Sequence, residues 1–109
     1  MPTATTTWDR KQGDLVDYID VQLDGISDLT GVVSGEAHLT ACDSAVAITA
    51  TVTVIDALNR IVRADLSTFL PTAIPGPWDV EWEMTFGNGS QWTWPSRGRD
   101  RLNVYAQAA

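Results

Sequence analysis

Apolar and polar residues alternate along most of the chain, and no stretch keeps the period of roughly 3.6 residues that an amphipathic helix requires. Residues 46–54 show the pattern clearly, with valine, isoleucine and alanine at every second position and mostly threonine between them. Threonine suits the exposed side of a strand. The alternation predicts seven strands, over residues 19–23, 33–39, 46–54, 62–66, 80–86, 92–94 and 102–106.

Turn-forming residues separate these strands, and 109 residues are enough for one domain. Short strands and turns at this spacing are typical of an antiparallel sandwich. We therefore predict an all-β protein with a single immunoglobulin-like antiparallel β-sandwich over residues 13–106, an extended flexible arm over residues 1–12 and a tail over residues 107–109. Because Cys42 is the only cysteine, no disulfide can form within the chain, and burial and strand pairing must hold the domain together.

Residues 79–95, DVEWEMTFGNGSQWTWP, hold three of the five tryptophans. In the first half, large apolar residues alternate with acidic residues and threonine, so one face of this strand is predicted to be buried. The GNG that follows can close a hairpin in two ways. The two ways differ in which face the later indoles occupy.

A two-residue turn over residues 88–89 would direct the later indoles toward solvent. A three-residue loop over residues 87–89, with its last glycine in the left-handed region, would pair Trp82 with Trp94 and bring the large rings onto one face. The difference moves roughly 400 Å² of aromatic surface, worth on the order of 10 kcal/mol at ~25 cal/mol per Å². We predict the three-residue loop. The predicted core residues of the hairpin are Val80, Trp82, Met84, Phe86, Trp92 and Trp94.

The formal net charge is −7, from 14 acidic and 7 basic residues, which argues against nucleic acid as a partner. The first residues contain no apolar segment of the signal-peptide type, and no uncharged run reaches the length of a membrane span. We expect a soluble protein that is made in a cytoplasm, contacts no membrane and requires no cofactor.

Candidate catalytic chemistry is sparse. His38 is the only histidine, and alternation directs it outward beside Glu36 and Thr40, as a surface imidazole. Glu81 and Glu83 share one strand face at a separation of roughly 7 Å, which two glycosidase carboxylates could use. Adjacent outward carboxylates on a strand are usually solvated, and no serine or cysteine has a nucleophile-elbow pattern. We predict no catalytic residue, no metal ligand and no enzymatic activity.

Charge is unevenly distributed. Aspartates are frequent in the first third, where a calcium-binding loop near Asp24 and Asp28 stays an open alternative, although the spacing of a calcium-binding EF-hand is missing. Three arginines cluster in SRGRDR, before the last predicted strand, and such asymmetry can orient a protein on a partner. In the predicted arm, Trp8 is a single aromatic anchor on a polar lead. Deleting residues 2–11 is therefore expected to leave the melting temperature unchanged. The candidate docking residues are Trp8, Arg10, Lys11, Arg97, Arg99 and Arg101.

Several short motifs follow one another in a characteristic order. They are QGD at 12–14, DLTG at 28–31, DALN at 56–59, GPWDVEWE at 76–83, FGNG at 86–89, WP at 94–95 and LNV at 102–104. Over nearly its whole length the chain resembles the N-terminal domain of the bacteriophage baseplate upper protein family, a group of small β-sandwiches. It departs from the family at Trp78, where tyrosine is usual, and at residues 88–89, where Asp-Gly is usual.

The resemblance implies a non-enzymatic virion structural protein. Its partners would be other phage proteins, including copies of itself, in the tail and baseplate or on the capsid or head–tail joint. Longer family members continue into a part that carries receptor-binding protein, so a chain that stops at Ala109 is expected to act as a free-standing accessory module. The alternatives are a carbohydrate-binding module that recognises host-wall glycan through Trp78 and any outward indole, and an inhibitor or adaptor that offers an acidic face to a basic protein.

Overall fold

A computed structural model describes residues 7–11, 18–23, 28–42, 46–70, 74–94 and 100–105. These residues form strands and turns without a helix, which confirms the all-β prediction. Each of the seven predicted strands overlaps one observed strand, and an eighth precedes them. The strands are β1 (Thr7–Lys11), β2 (Tyr18–Gln22), β3 (Val32–Ala41), β4 (Ala47–Asp56), β5 (Ile61–Asp65), β6 (Gly76–Phe86), β7 (Gln91–Trp94) and β8 (Asp100–Tyr105).

The strands form one sheet in the order β1-β8-β6-β3-β4-β5-β2, and β7 pairs with β6. Strand β4 joins the two halves, because residues 47–51 pair with β3 and residues 52–56 pair with β5. The sheet is nearly closed into a barrel. At the seam between the end strands, Arg10 Nη2 donates a hydrogen bond to the Tyr18 carbonyl oxygen at 3.1 Å. The finer prediction of an immunoglobulin-like sandwich is not confirmed.

The N-terminal strand corrects the predicted arm. Residues Thr7–Lys11 pair in parallel with β8, from Thr7 opposite Arg101 to Lys11 opposite Tyr105. Trp8 packs against the core and contacts the Trp82 ring edge-on, with ring centroids 6.0 Å apart. For these residues the prediction of an unpaired arm is wrong. The prediction of an antiparallel sheet is also wrong for this pair of strands. Residues 1–6, 12 and 106–109, which include the predicted tail, lie outside the described residues.

The core follows the alternation of β6. Every second side chain of this strand is buried, from Trp78 to Met84. Across β3 the facing residues Ala37 and Leu39 are buried as well, in register with Trp82 and Val80. One predicted face therefore becomes the centre of the sheet's inner side, since side chains on a strand alternate between faces.

The hairpin between β6 and β7 has the predicted three-residue loop. Phe86 and Ser90 flank it, with the Phe86 amide donating to the Ser90 carbonyl oxygen at 2.9 Å. Gly89 has a φ of 88°, in the left-handed region that glycine adopts without steric cost. The resulting register pairs Trp82 with Trp94 and Met84 with Trp92.

Three motifs of the family resemblance meet at one end of the sheet, in turns over residues 28–31, 57–60 and 87–90. The Leu29 amide donates to the Ala57 carbonyl oxygen and the Gly87 amide to the Gly31 carbonyl oxygen, both at 2.9 Å. These three turns are called the turn end below. Because backbone hydrogen bonds link these turns, the motifs hold the ends of the adjoining strands in position.

Candidate functional site

The hairpin indoles divide into buried and exposed rings. Val80, Trp82, Met84 and Trp94 are buried as predicted, and Phe86 is half-buried against the core. The prediction is wrong for Trp92, whose exposed fraction is 45%. Trp92 lies at the start of β7, a strand that pairs only with β6 among the described strands. It stacks on Trp94, with centroids 6.0 Å apart and an interplanar angle of 20°.

A buried carboxylate accompanies the central indole. Asp100 is only 4% exposed and accepts a hydrogen bond from Trp82 Nε1 at 2.9 Å. This contact fixes the start of β8 beside β6, because a buried polar group needs a partner to offset its desolvation. Burial of Asp100 was not predicted, since SRGRD has the composition of an exposed loop.

The outer side of β3 and β6 carries the main cluster of titratable side chains among the described residues. His38 is directed outward, as predicted, and is half-exposed. Together with Thr40, Asp79 and Glu81 it lines an open depression of about 230 Å³. The cross-strand partners on this side are Glu36 with Glu83, His38 with Glu81 and Thr40 with Asp79, and these six residues are called the acidic face.

Three groups of the acidic face converge. One ligand atom each from Glu36, His38 and Glu83 can be chosen so that all three lie within 4.8 Å of one another. His38 Nε2 is 3.8 Å from Glu36 Oε2. An imidazole nitrogen and carboxylate oxygens are donors to divalent transition metals. Alternation placed His38 beside Glu36, but the cluster was missed because Glu83 joins only through the β3–β6 register.

The predicted arginine cluster is only partly described. Arg101 is exposed on β8, and its Nη2 lies 3.4 Å from Asp79 Oδ1 and 3.8 Å from Cys42 Sγ. It therefore borders the acidic face and partly balances its charge. Arg97 and Arg99 lie outside the described residues, so their place in a docking loop stays a prediction.

The candidate docking residues of β1 have structural contacts. Trp8 is half-buried against Trp82, as described above. Besides its bond across the seam, Arg10 donates from Nη1 to the Asp9 carbonyl oxygen at 2.8 Å. Its buried Nε has no hydrogen-bond partner among the described residues. Trp8 and Arg10 thus help to attach β1, and the side chain of Lys11 lies outside the description.

Aspartates of the loops act as turn caps. Asp28 Oδ1 accepts a hydrogen bond from the Thr30 amide at 2.8 Å, while Asp24, the other residue of the calcium alternative, is outside the described residues. The Asn59 side chain lowers the pKa of Asp56 by donating to it, and Ser67 lowers the pKa of Asp65 in the same way. Each ionised carboxylate therefore stabilises its local turn.

A bidentate ion pair links β2 and β5. Arg63 donates to the two oxygens of Asp20 at 2.8 and 3.0 Å, and its guanidinium lies 3.9 Å from the centroid of the Tyr18 ring. The hydrogen bonds with Asp20 raise the pKa of Arg63. Asp20, one of the aspartates in the first third of the chain, therefore forms a contact between strands.

Within the part of the chain that is described, no helix has the length and apolar character needed to cross a membrane. In comparisons with known proteins, no family model, no curated protein and no solved structure matched the chain.

Proposed function

We propose that the protein is a non-enzymatic structural module of a bacteriophage virion. It docks on other phage proteins, including copies of itself, in the tail and baseplate or on the capsid or head–tail joint. The family proposal rests on the motif resemblance. The docking proposal rests on one observation, the set of apolar side chains exposed at the turn end.

Four large apolar side chains lie exposed at or beside the turn end. Leu58, in the turn over residues 57–60, is 72% exposed, and Val33, at a bulge of β3, is 68% exposed. Ile55 and Trp92 accompany them at the adjoining ends of β4 and β7. Exposed apolar groups concentrated in one region are typical of a protein interaction surface. The backbone bonds between the turns hold this surface in place without a partner.

The experiment uses particles of the phage or prophage that encodes the chain. A V33D/L58D variant places two charges at the turn end and is expected to lower the copy number of the chain in purified particles by at least about tenfold, equivalent to ~1.4 kcal/mol of docking free energy. Mass spectrometry of the particles measures the copy number. Thr49→Asp, on the exposed side of β4 away from the turns, is the matched control and should be incorporated normally.

Two outcomes would reject the proposal. Absence of the wild-type chain from purified particles would reject the virion assignment. Normal incorporation of V33D/L58D would reject the turn end as the docking surface. Melting temperatures of the purified variants must match the wild type, so that loss of incorporation is not caused by unfolding.

The exposed Trp92 ring favours a second candidate function, binding of host-wall glycan. Sugar rings stack on flat indole faces, and Trp92 offers one that is supported from behind by Trp94. If this function holds, glycan should shift the tryptophan emission of the wild type, and Trp92→Ala should abolish the response. An unchanged emission across a panel of cell-wall glycans would remove this candidate.

A further inference from the structure

We propose that the acidic face binds one divalent transition-metal ion, with Zn²⁺ as the reference ion, through Glu36, His38 and Glu83. This inference is independent of the virion assignment, because it depends only on side chains of β3 and β6. Glu36 and Glu83 are direct cross-strand partners, and His38 follows Glu36 on the same face. Two rigid, paired strands thus present the three donors side by side.

The distances suit a small ion after a modest adjustment. Zinc lies about 2.0–2.2 Å from nitrogen and oxygen ligands, so tetrahedral ligands are roughly 3.5 Å apart. The three donors lie within 4.8 Å of one another, and one pair is already at 3.8 Å. The Glu36 and His38 side chains are 55% and 39% exposed, so rotation of the side chains can close the remaining gap without moving the backbone.

The surroundings favour a cation. Asp79 and Glu81 add carboxylates to the same face, and Arg101, 3.4 Å from Asp79 at the β8 side, is the cation that borders them in the described chain. Negative charges that share one face attract a divalent ion more strongly than an isolated carboxylate does. The outer side of β6 would then bind an ion and would not be only a solvated strand face.

The imidazole determines which metal is bound. Calcium and magnesium prefer oxygen ligands, whereas zinc, nickel and copper bind imidazole well. A site that depends on His38 must therefore prefer these metals over calcium. Three protein ligands leave a fourth tetrahedral position for water or for a side chain of a partner.

Binding should also stabilise the fold. The ion would bridge β3 and β6, which pair from Val32 with Phe86 to Ala41 with Trp78. Unfolded chain does not hold the three donors together, so the ion binds the native state preferentially and raises the melting temperature by mass action.

The test is zinc titration of tag-free, chelator-treated full-length protein by isothermal calorimetry at neutral pH. We expect saturable binding of one ion per chain, and a loss of affinity of at least about tenfold in each of His38→Ala and Glu83→Gln, or ~1.4 kcal/mol. The matched control is Asp79→Asn. It removes one charge from the same face but no ligand, so its affinity should stay within about twofold of the wild type. Calcium in excess should not compete.

A second measurement needs no variant. His38 is the only histidine of the chain, so its imidazole resonances can be assigned without ambiguity. Zinc should shift them, because one ring nitrogen becomes a metal ligand. Calcium, which prefers oxygen ligands, should leave them unchanged.

Three results would overturn the proposal. The first is the absence of saturable zinc binding by the wild type. The second is wild-type affinity in His38→Ala, which would reduce the site to an unspecific acidic patch. The third is an equal loss in Asp79→Asn and Glu83→Gln, which would show that total charge, and not these ligands, governs binding.

Discussion

The two faces of β6 differ in burial and in chemistry, although their residues alternate along one strand. On the inner face, Trp78 and Trp82 are buried in the core. On the outer face, Asp79, Glu81 and Glu83 stay half-exposed and form half of the acidic face. The inner residues can hardly change without loss of the fold, whereas the outer ones are half-exposed, so a ligand can reach them. Because side chains alternate along a strand, neighbouring residues of β6 serve either the core or the candidate metal site.

The largest effect on stability is expected from removal of the central ring of the inner face. Trp82→Ala is expected to lower the free energy of unfolding by about 3–5 kcal/mol, the usual cost of deleting a buried tryptophan. It also removes the edge contact with Trp8 and the hydrogen bond to Asp100. Urea unfolding measures the loss. Trp82→Phe keeps a ring but no donor, so it reports the cost of leaving the buried carboxylate without Trp82 Nε1.

The N-terminal strand offers the next largest effect. Trp8→Ala is expected to lower the free energy of unfolding by about 2 kcal/mol, because a half-buried indole leaves the core. The exposed neighbour Thr7 gives the matched control, and Thr7→Ala should change stability by less than about 0.5 kcal/mol. An equally small effect of Trp8→Ala in thermal unfolding would restore the predicted detached arm.

Turn caps should give a smaller, pH-dependent effect. The pKa of Asp56 is lowered in the folded state from its ordinary value of 3.8, so its ionised form favours folding. This stabilisation is complete above the ordinary pKa and is lost as the pH falls through the lower folded-state value. Asp56→Asn should therefore be less stable than the wild type at pH ~7 and should approach it as the pH falls through the lowered pKa of Asp56. A stability difference independent of pH, in urea titrations, would contradict the assignment.

The outer face should give the smallest effect. Glu83→Gln, in the presence of a chelator, is expected to change the free energy of unfolding by no more than about 0.5 kcal/mol, since a solvated carboxylate contributes little. Relief of repulsion from Glu36, its cross-strand partner, gives the change a stabilising sign. A loss above about 2 kcal/mol in urea unfolding would show that this face also holds the fold together.

Sequence patterns predicted the features that depend on residues close together in the chain. The alternation in β6 predicted its buried face, and GNG predicted the register that pairs Trp82 with Trp94. Burial of Trp92 was predicted wrongly, because the hairpin register assigns a ring to a face but does not show whether other residues pack over it. The candidate metal site needed the β3–β6 register, which brings together residues 36 and 83, far apart in the chain.

The parallel pairing of β1 was also beyond local reasoning. A five-residue strand with a single large apolar residue has too short a pattern to show a period. Its pairing with β8 joins residues 7–11 to residues 101–105, far apart in the chain, and only the whole sheet shows that the inner face needs Trp8. The same reason hid the contact between Trp82 and Asp100.

Acrylamide quenching of tryptophan emission measures whether the hairpin indoles other than Trp92 are shielded from water. The wild type should show one readily quenched component, and Trp92→Phe should remove most of it, leaving blue-shifted emission that resists quenching. Quenching of Trp92→Phe that equals the wild type, with red-shifted emission, would show that other indoles face water and would contradict this account of the fold.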